Sequence, residues 1–183
     1  NPQEKIDDLM STDEDGSRIL GAVDIYSLMF HGPRFQPLKG VVATIETTSG
    51  TGIEARVNSI QDLPDPRLFN IRGKAIIPDL TSYPMLIESC FQAAGLTSMD
   101  LDSAESLPVG AKRILIAGEI PEGSLTVTSV RKGSETNGTF VHESVIRLDG
   151  SPIMRIDGLK MKKLRDLSDD QRPGLAEYSG ELT

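Results

Sequence analysis

The chain has 183 residues, 38% of them hydrophobic and 25% charged, with a formal net charge of −8. That is enough chain for one domain with its own core, and its single cysteine, Cys90, excludes an intrachain disulfide and suits a reducing compartment. No signal-peptide pattern opens the sequence and no apolar run is long enough to cross a bilayer, so it reads as a soluble, cytoplasmic protein without a membrane partner.

Taken in chain order, the acidity comes first and last. Residues 1–16 carry Glu4, Asp7, Asp8, Asp13, Glu14 and Asp15 against Lys5, a net of −5. Residues 166–183 carry Asp166, Asp169, Asp170, Glu177 and Glu181 against Arg172, a net of −4, which leaves +1 for the body between them. Residues 1–16 and 166–183 therefore read as acidic linkers or tails flanking one domain over 17–165. Ile19 to Phe30 has room for one or two helical turns, which His31-Gly32-Pro33 breaks. Leu38–Thr48, rich in β-branched residues, reads as a strand, Ser49-Gly50-Thr51-Gly52 as a hairpin turn, and Ile53–Ser59 as the returning strand. A loop with Pro64 and Pro66 leads to a short apolar piece around Leu68–Ile77.

Residues 83–95, YPMLIESCFQAAG, form the most informative segment. Proline suits a first helical turn and glycine a left-handed stop, so Pro84 and Gly95 bound a helix here. Met85, Leu86, Ser89, Ala93 and Leu96 make one stripe at helical spacing, and Ile87, Phe91 and Ala94 make a second. A helix apolar almost all round sits inside its fold. Cys90 within it reads as a small core residue rather than a reactive thiol. Glu88 is then a carboxyl in apolar surroundings, where desolvation favours the protonated, proton-donating form. Gln92 follows it at i+4. A lone glutamate of this kind is either functional or a structural group bonded to a backbone edge.

Beyond a polar connection at 97–110 lie four strand candidates: Lys112–Glu119, Ser124–Lys132, Thr139–Leu148 and Pro152–Lys163. Pro121-Glu122-Gly123, Asn137-Gly138 and Asp149-Gly150-Ser151 supply the turns. Phe140, His142, Ser144, Ile146 and Leu148 share one face at period two. His142 therefore reads as a core or interface histidine. Lys160, Lys162, Lys163 and Arg165 read either as a dock for an acidic partner or as a solvated strand end. No basic stripe interleaved with aromatics suggests nucleic acid, and no metal ligand set is expected. The elements sum to an α+β domain in which an antiparallel sheet of about six strands wraps one long central helix, a hot-dog fold.

Two motifs add a resemblance. FHGPRFQPLKGV, residues 30–41, is similar to the Y-G-P-x-F-Q segment of polyketide synthase dehydratase domains, and YPMLIESCFQ, residues 83–92, to their H-P-x-L-L-D-x-x-x-Q helix. LPVGAKRILI and DGSPIMRIDGLKM fall in the matching order. The chain thus resembles the C-terminal half of a domain built from two hot dogs in tandem. The helix also resembles that of the β-hydroxyacyl-carrier-protein dehydratases of fatty acid synthesis. The resemblance implies removal of water from a β-hydroxyacyl thioester held on the phosphopantetheine of an acyl carrier protein, with no other cofactor. It implies Glu88 as general acid, Gln92 as its hydrogen-bond partner, and a pocket that includes His31, Gly32, Pro33, Phe35, Tyr83 and Pro84. Such chemistry needs an acid and a base across a dry tunnel, with N–H donors on the thioester carbonyl, which a buried helix N-terminus can supply.

The sequence departs from that pattern in two places. The family's base histidine belongs to the other hot dog, so a second hot dog, an upstream half or a homodimer partner, is implied. Tyr83 stands where the helix motif has its first histidine. His31, in the place of the usual tyrosine, is either a pocket residue and candidate base or a loop histidine. Arg34 and Arg113 are candidates for the tunnel rim. Two further readings stay open: a non-catalytic hot dog that binds acyl chains or completes a pseudo-dimer, and an acyl-thioester hydrolase in which Glu88 activates water.

Overall fold

A computed structural model describes residues 20–58, 79–117, 123–168 and 171–175. In chain order these form α1 (Ala22–Leu28), a 3-10 turn (Pro33–Phe35), β1 (Leu38–Thr47), β2 (Gly50–Val57), α2 (Asp79–Asp102), β3 (Ala104–Gly110), β4 (Arg113–Ile116), β5 (Leu125–Glu135), β6 (Thr139–Leu148) and β7 (Ser151–Asp166). The strands make one antiparallel seven-stranded sheet in the order β1-β2-β5-β6-β7-β3, with β4 also paired to β7. Helix α2 packs against β5, β3, β2 and β6. This is the hot-dog arrangement, with one strand more than the sequence suggests. Among the described residues no helix is long and apolar enough to cross a membrane.

The alternation in β6 explains how the sheet buries its inner face. Phe140, His142, Ser144, Ile146 and Leu148 are all buried, while the residues between them are partly exposed. Leu86, Ala93 and Leu96 of α2 meet Ile53, Val127, Ile146, Ile156 and Leu159 in a single core cluster. Deleting one methyl from a strand residue in that core removes its contacts without opening room for water. Ile146→Val is therefore expected to lower unfolding free energy by about 0.5–1.5 kcal/mol in urea titrations, with an unchanged slope.

The structure corrects four boundaries. Helix α2 is longer than 83–96 and runs straight through Gly95, which does not terminate it. A Cβ at that position would lie 3.4 Å from the Met29 side chain and 4.0 Å from that of Met161. The helix ends one residue before Ser103, whose φ of 47° is left-handed. Pro84 consequently lies inside the helix rather than at its first position, and one i→i−4 hydrogen bond is forgone there. The hairpin turn is Thr48-Ser49, and Gly50 and Gly52 belong to β2. Gly52 is needed because β5 passes close by: a Cβ there would sit 1.9 Å from the Ser129 carbonyl oxygen.

The remaining two corrections follow from pairing. The supposed connection at 97–110 is the end of α2 plus strand β3, which Pro108 and its polar residues disguise; it pairs with the outer half of β7. The candidate over Lys112–Glu119 contracts, within the described residues, to β4 at Arg113–Ile116. The apolar piece at 68–77 and the acidic stretch at 1–16 lie outside the described residues. Of the other acidic segment, Asp166 completes β7, and Leu167 and Leu175 are buried. The Leu175 N–H donates to Asp100 Oδ1 at 2.7 Å, which fastens this stretch to the end of α2.

Candidate functional site

The end of α1, the 3-10 turn and one face of α2 meet around Glu88. The turn is set by Gly32-Pro33: proline suits its first position, and the Phe35 N–H returns to the Gly32 carbonyl at 2.9 Å. Gln36 Nε2 donates to the His31 carbonyl at 3.1 Å and so fixes the approach to the turn. This brings His31 Nε2 to 2.9 Å from Glu88 Oε1. The imidazole is stacked on Phe30 with ring centres 4.5 Å apart, and its Nδ1 is buried with no hydrogen-bond partner.

Gln92, one turn after Glu88, donates from Nε2 to Glu88 Oε1 at 2.9 Å and to the Phe35 carbonyl at 2.8 Å. Its Oε1 accepts from the Tyr26 hydroxyl at 3.0 Å, and that hydroxyl accepts from the Leu38 N–H at 2.7 Å. Burial, opposed by the Leu38 bond and helped by the Glu88 charge, pushes the Tyr26 phenol well above its ordinary range. It keeps its proton. Glu88 itself is less deeply buried than its helix suggests: 22% of its side chain is exposed, against 17% for His31.

These groups line one wall of a cavity of about 470 Å³. Its other walls are largely apolar, with Leu28, Met29, Phe91, Met99, Leu107 and Met161 among them. An apolar chamber with a few convergent polar groups is the usual form of a small-molecule site. It accommodates an apolar chain with one polar end held at Glu88, and the carboxyl is within reach of solvent for proton exchange.

Of the residues expected from the sequence, His31, Gly32, Phe35, Glu88 and Gln92 line this cavity. Pro33, Tyr83 and Pro84 do not: Pro33 is exposed in its turn, and Tyr83 and Pro84 lie on α2 before the cavity begins. Sequence reasoning missed Tyr26, 66 residues from Gln92, and the wall formed by Glu105, Ser106, Leu107 and Pro108 of β3. A tyrosine in a short helix carries no local signal, and the β3 wall was hidden by its reading as a connection.

The other candidates have structural partners. His142 is fully buried in the sheet and its Nε2 lies 3.2 Å from Ser98 Oγ. The Ser98 hydroxyl hydrogen goes to the Ala94 carbonyl, so His142 is the donor in that contact. Burial, with the nearby Arg131 guanidinium, lowers its imidazole from the usual 6.5 to about 3. Cys90 is fully buried and burial pushes its thiol up, away from reactivity. Arg113 is paired with Asp157 at 2.5 Å. Lys160 pairs with Glu135 at 2.6 Å, Arg165 with Glu105 at 2.5 Å, and Lys163 with Asp166, so much of that basic run is answered within the chain.

Comparison with known proteins agrees with this architecture. Residues 26–171 match the family model described as the polyketide synthase dehydratase N-terminal domain. The fold is similar to the dehydratase domain of PpsC from Mycobacterium tuberculosis, solved in complex with C12:1-CoA, at 22% identity and a TM-score of 0.53 over 80% of this chain and 52% of that one. It is similar to the dehydratase domain of RzxB from Pseudomonas fluorescens, at 19% identity and a TM-score of 0.53 over 82% and 51%. It is also similar to the dehydratase domain from the CurJ module of curacin polyketide synthase, at 14% identity and a TM-score of 0.54 over 90% and 53%. The chain spans about half the length of these structures. Comparison with curated protein sequences gave no match.

Proposed function

The chain belongs to the polyketide synthase dehydratase family, and from that premise we propose that it removes water from a β-hydroxyacyl thioester presented on the phosphopantetheine of an acyl carrier protein. The observation that carries the reading is the joined Glu88, His31 and Gln92 cluster at one end of an apolar cavity. In the proposed reaction a base takes the α-proton, the freed electron pair forms the Cα–Cβ double bond, and the C–O bond breaks. The hydroxyl leaves as water with a proton from Glu88. Gln92 orients that carboxyl.

His31 lies side by side with Glu88, its Nε2 committed to the carboxyl. It holds that carboxyl in place and does not reach the opposite face of the substrate. We therefore assign the α-proton to a histidine on a second hot dog, either another half of the same protein or a partner chain. Although the matching family model is described as the N-terminal domain, we read this chain as the half that carries the acid. The support is the i+4 pair Glu88 and Gln92 on the buried helix.

The test follows the acyl group by mass. A β-hydroxyacyl carrier protein is incubated with this protein, with and without the remaining hot dog of its synthase. Loss of one water from the acyl group supports the proposal. Release of free acid instead would favour the hydrolase, with Glu88 and His31 activating water. An intact acyl group that nevertheless binds tightly would favour a non-catalytic acyl-binding domain.

A further inference from the structure

Two backbone groups, whose roles as donor and acceptor are fixed, bracket the side-chain network at Glu88. At one end the Leu38 N–H can only donate, and it donates to the Tyr26 oxygen at 2.7 Å. At the other the Phe35 carbonyl can only accept, and it accepts from Gln92 Nε2 at 2.8 Å. With Leu38 supplying its hydrogen to the phenol oxygen, the phenol's own proton is free for Gln92 Oε1 at 3.0 Å. The amide then has one orientation, and its remaining N–H faces Glu88 Oε1 at 2.9 Å.

We propose that Tyr26 is a positioning residue of this site, holding the Gln92 amide so that its NH2 group, and never its oxygen, is presented to Glu88. Glu88 Oε1 is thereby fixed as an acceptor, shared between Gln92 Nε2 and His31 Nε2. When the carboxyl is protonated, its hydrogen sits on Oε2, the oxygen left for the substrate. The device selects which oxygen delivers the proton. An amide free to turn would offer its oxygen to Glu88 and hold the proton in a bond that leads nowhere. The catalytic consequence rests on the dehydratase reading above; the orientation itself does not.

The experiment has one readout for each. In the unmodified protein, the Gln92 side-chain amide signals are followed by NMR across the titration of Glu88, with Glu88→Gln as assignment control. They are expected to shift with the Glu88 carboxyl, and amide signals indifferent to it would overturn the proposal even if every Tyr26 variant failed to fold. In Tyr26→Phe, the Phe35 carbonyl remains as a single anchor. The Gln92 side-chain amide signals are then expected to move from their positions in the unmodified protein and to broaden, because one of the two groups that fix the amide is gone.

With a β-hydroxyacyl carrier substrate, the same variant should lose roughly tenfold in kcat with KM within about twofold. Tyr26→Phe combined with Gln92→Ala should be no worse than Gln92→Ala alone. Unmoved amide signals with unchanged kcat, or additive losses in the double variant, would overturn the assignment. Absence of dehydration by the unmodified protein would instead remove the dehydratase reading, while the NMR result decides the orientation independently.

Discussion

Glu88→Gln is expected to reduce dehydration by about 10²–10⁴-fold, the range supplied by a positioned general acid, while leaving the fold intact. The substitution keeps the side chain's shape. The new amide oxygen, placed where Glu88 Oε1 now lies, still accepts from Gln92 Nε2 and His31 Nε2, which approach at 2.9 Å each. What is lost is the carboxyl proton that accompanies the departing hydroxyl in the proposed reaction. Because part of the Glu88 side chain reaches solvent, no buried group is left unsatisfied by the exchange. Thermal unfolding followed by circular dichroism should coincide for the two proteins, and mass analysis of the carrier-bound acyl group should separate them. A variant that retains activity within tenfold would remove Glu88 from the role of acid. A variant that loses mainly stability would make it a structural carboxyl.

Acidification is expected to cost this protein a few kcal/mol of stability through His142 alone, between about pH 6.5 and pH 3. The imidazole is neutral in the folded protein across that range, because burial, and then the Arg131 charge, hold it at about 3. In the unfolded chain it takes up a proton near its ordinary value. The unfolded state therefore binds more protons in this window, and unfolding free energy falls as pH falls. His142→Gln keeps a donor for Ser98 but cannot titrate, so its urea midpoint should decline less steeply from pH 6.5 to 4.5. Asp157, whose carboxyl hydrogen bonds from Arg113 and then Arg155 hold below its usual value, loses its contribution only at lower pH. The upper window thus isolates the histidine. Parallel slopes for the two proteins would show that His142 is already charged in the native state.

The hot-dog architecture was legible wherever side-chain period and turn chemistry agreed. Thr139–Leu148 emerged with its observed ends because a strict two-residue alternation lies between Asn137-Gly138 and Asp149-Gly150. Glycine misled where backbone freedom was not its purpose. Gly52 admits the backbone of β5, and Gly95 lies in mid-helix on the cavity wall. Neither placement can be read without the neighbour. The Glu88 and Gln92 pair was visible as helical spacing, and their hydrogen bond is a local consequence of it. The contact of His31 with Glu88 and the reach of Tyr26 to Gln92 join segments 57 and 66 residues apart. Those contacts exist only once α1 and the 3-10 turn have docked on α2.

Strand β7 holds β6 along one edge and both β3 and β4 along the other. Ala104 waits for Asp166 and Arg113 for Asp157, so two strands complete their ladders only when β7 has left the ribosome. Pairings this distant in sequence form slowly. A nascent chain paused before Ser151 presents both unpaired edges, with Ile114, Leu115 and Ile116 on one of them, to every other chain nearby. The interval before β7 emerges is thus the one in which these edges stand open to other chains.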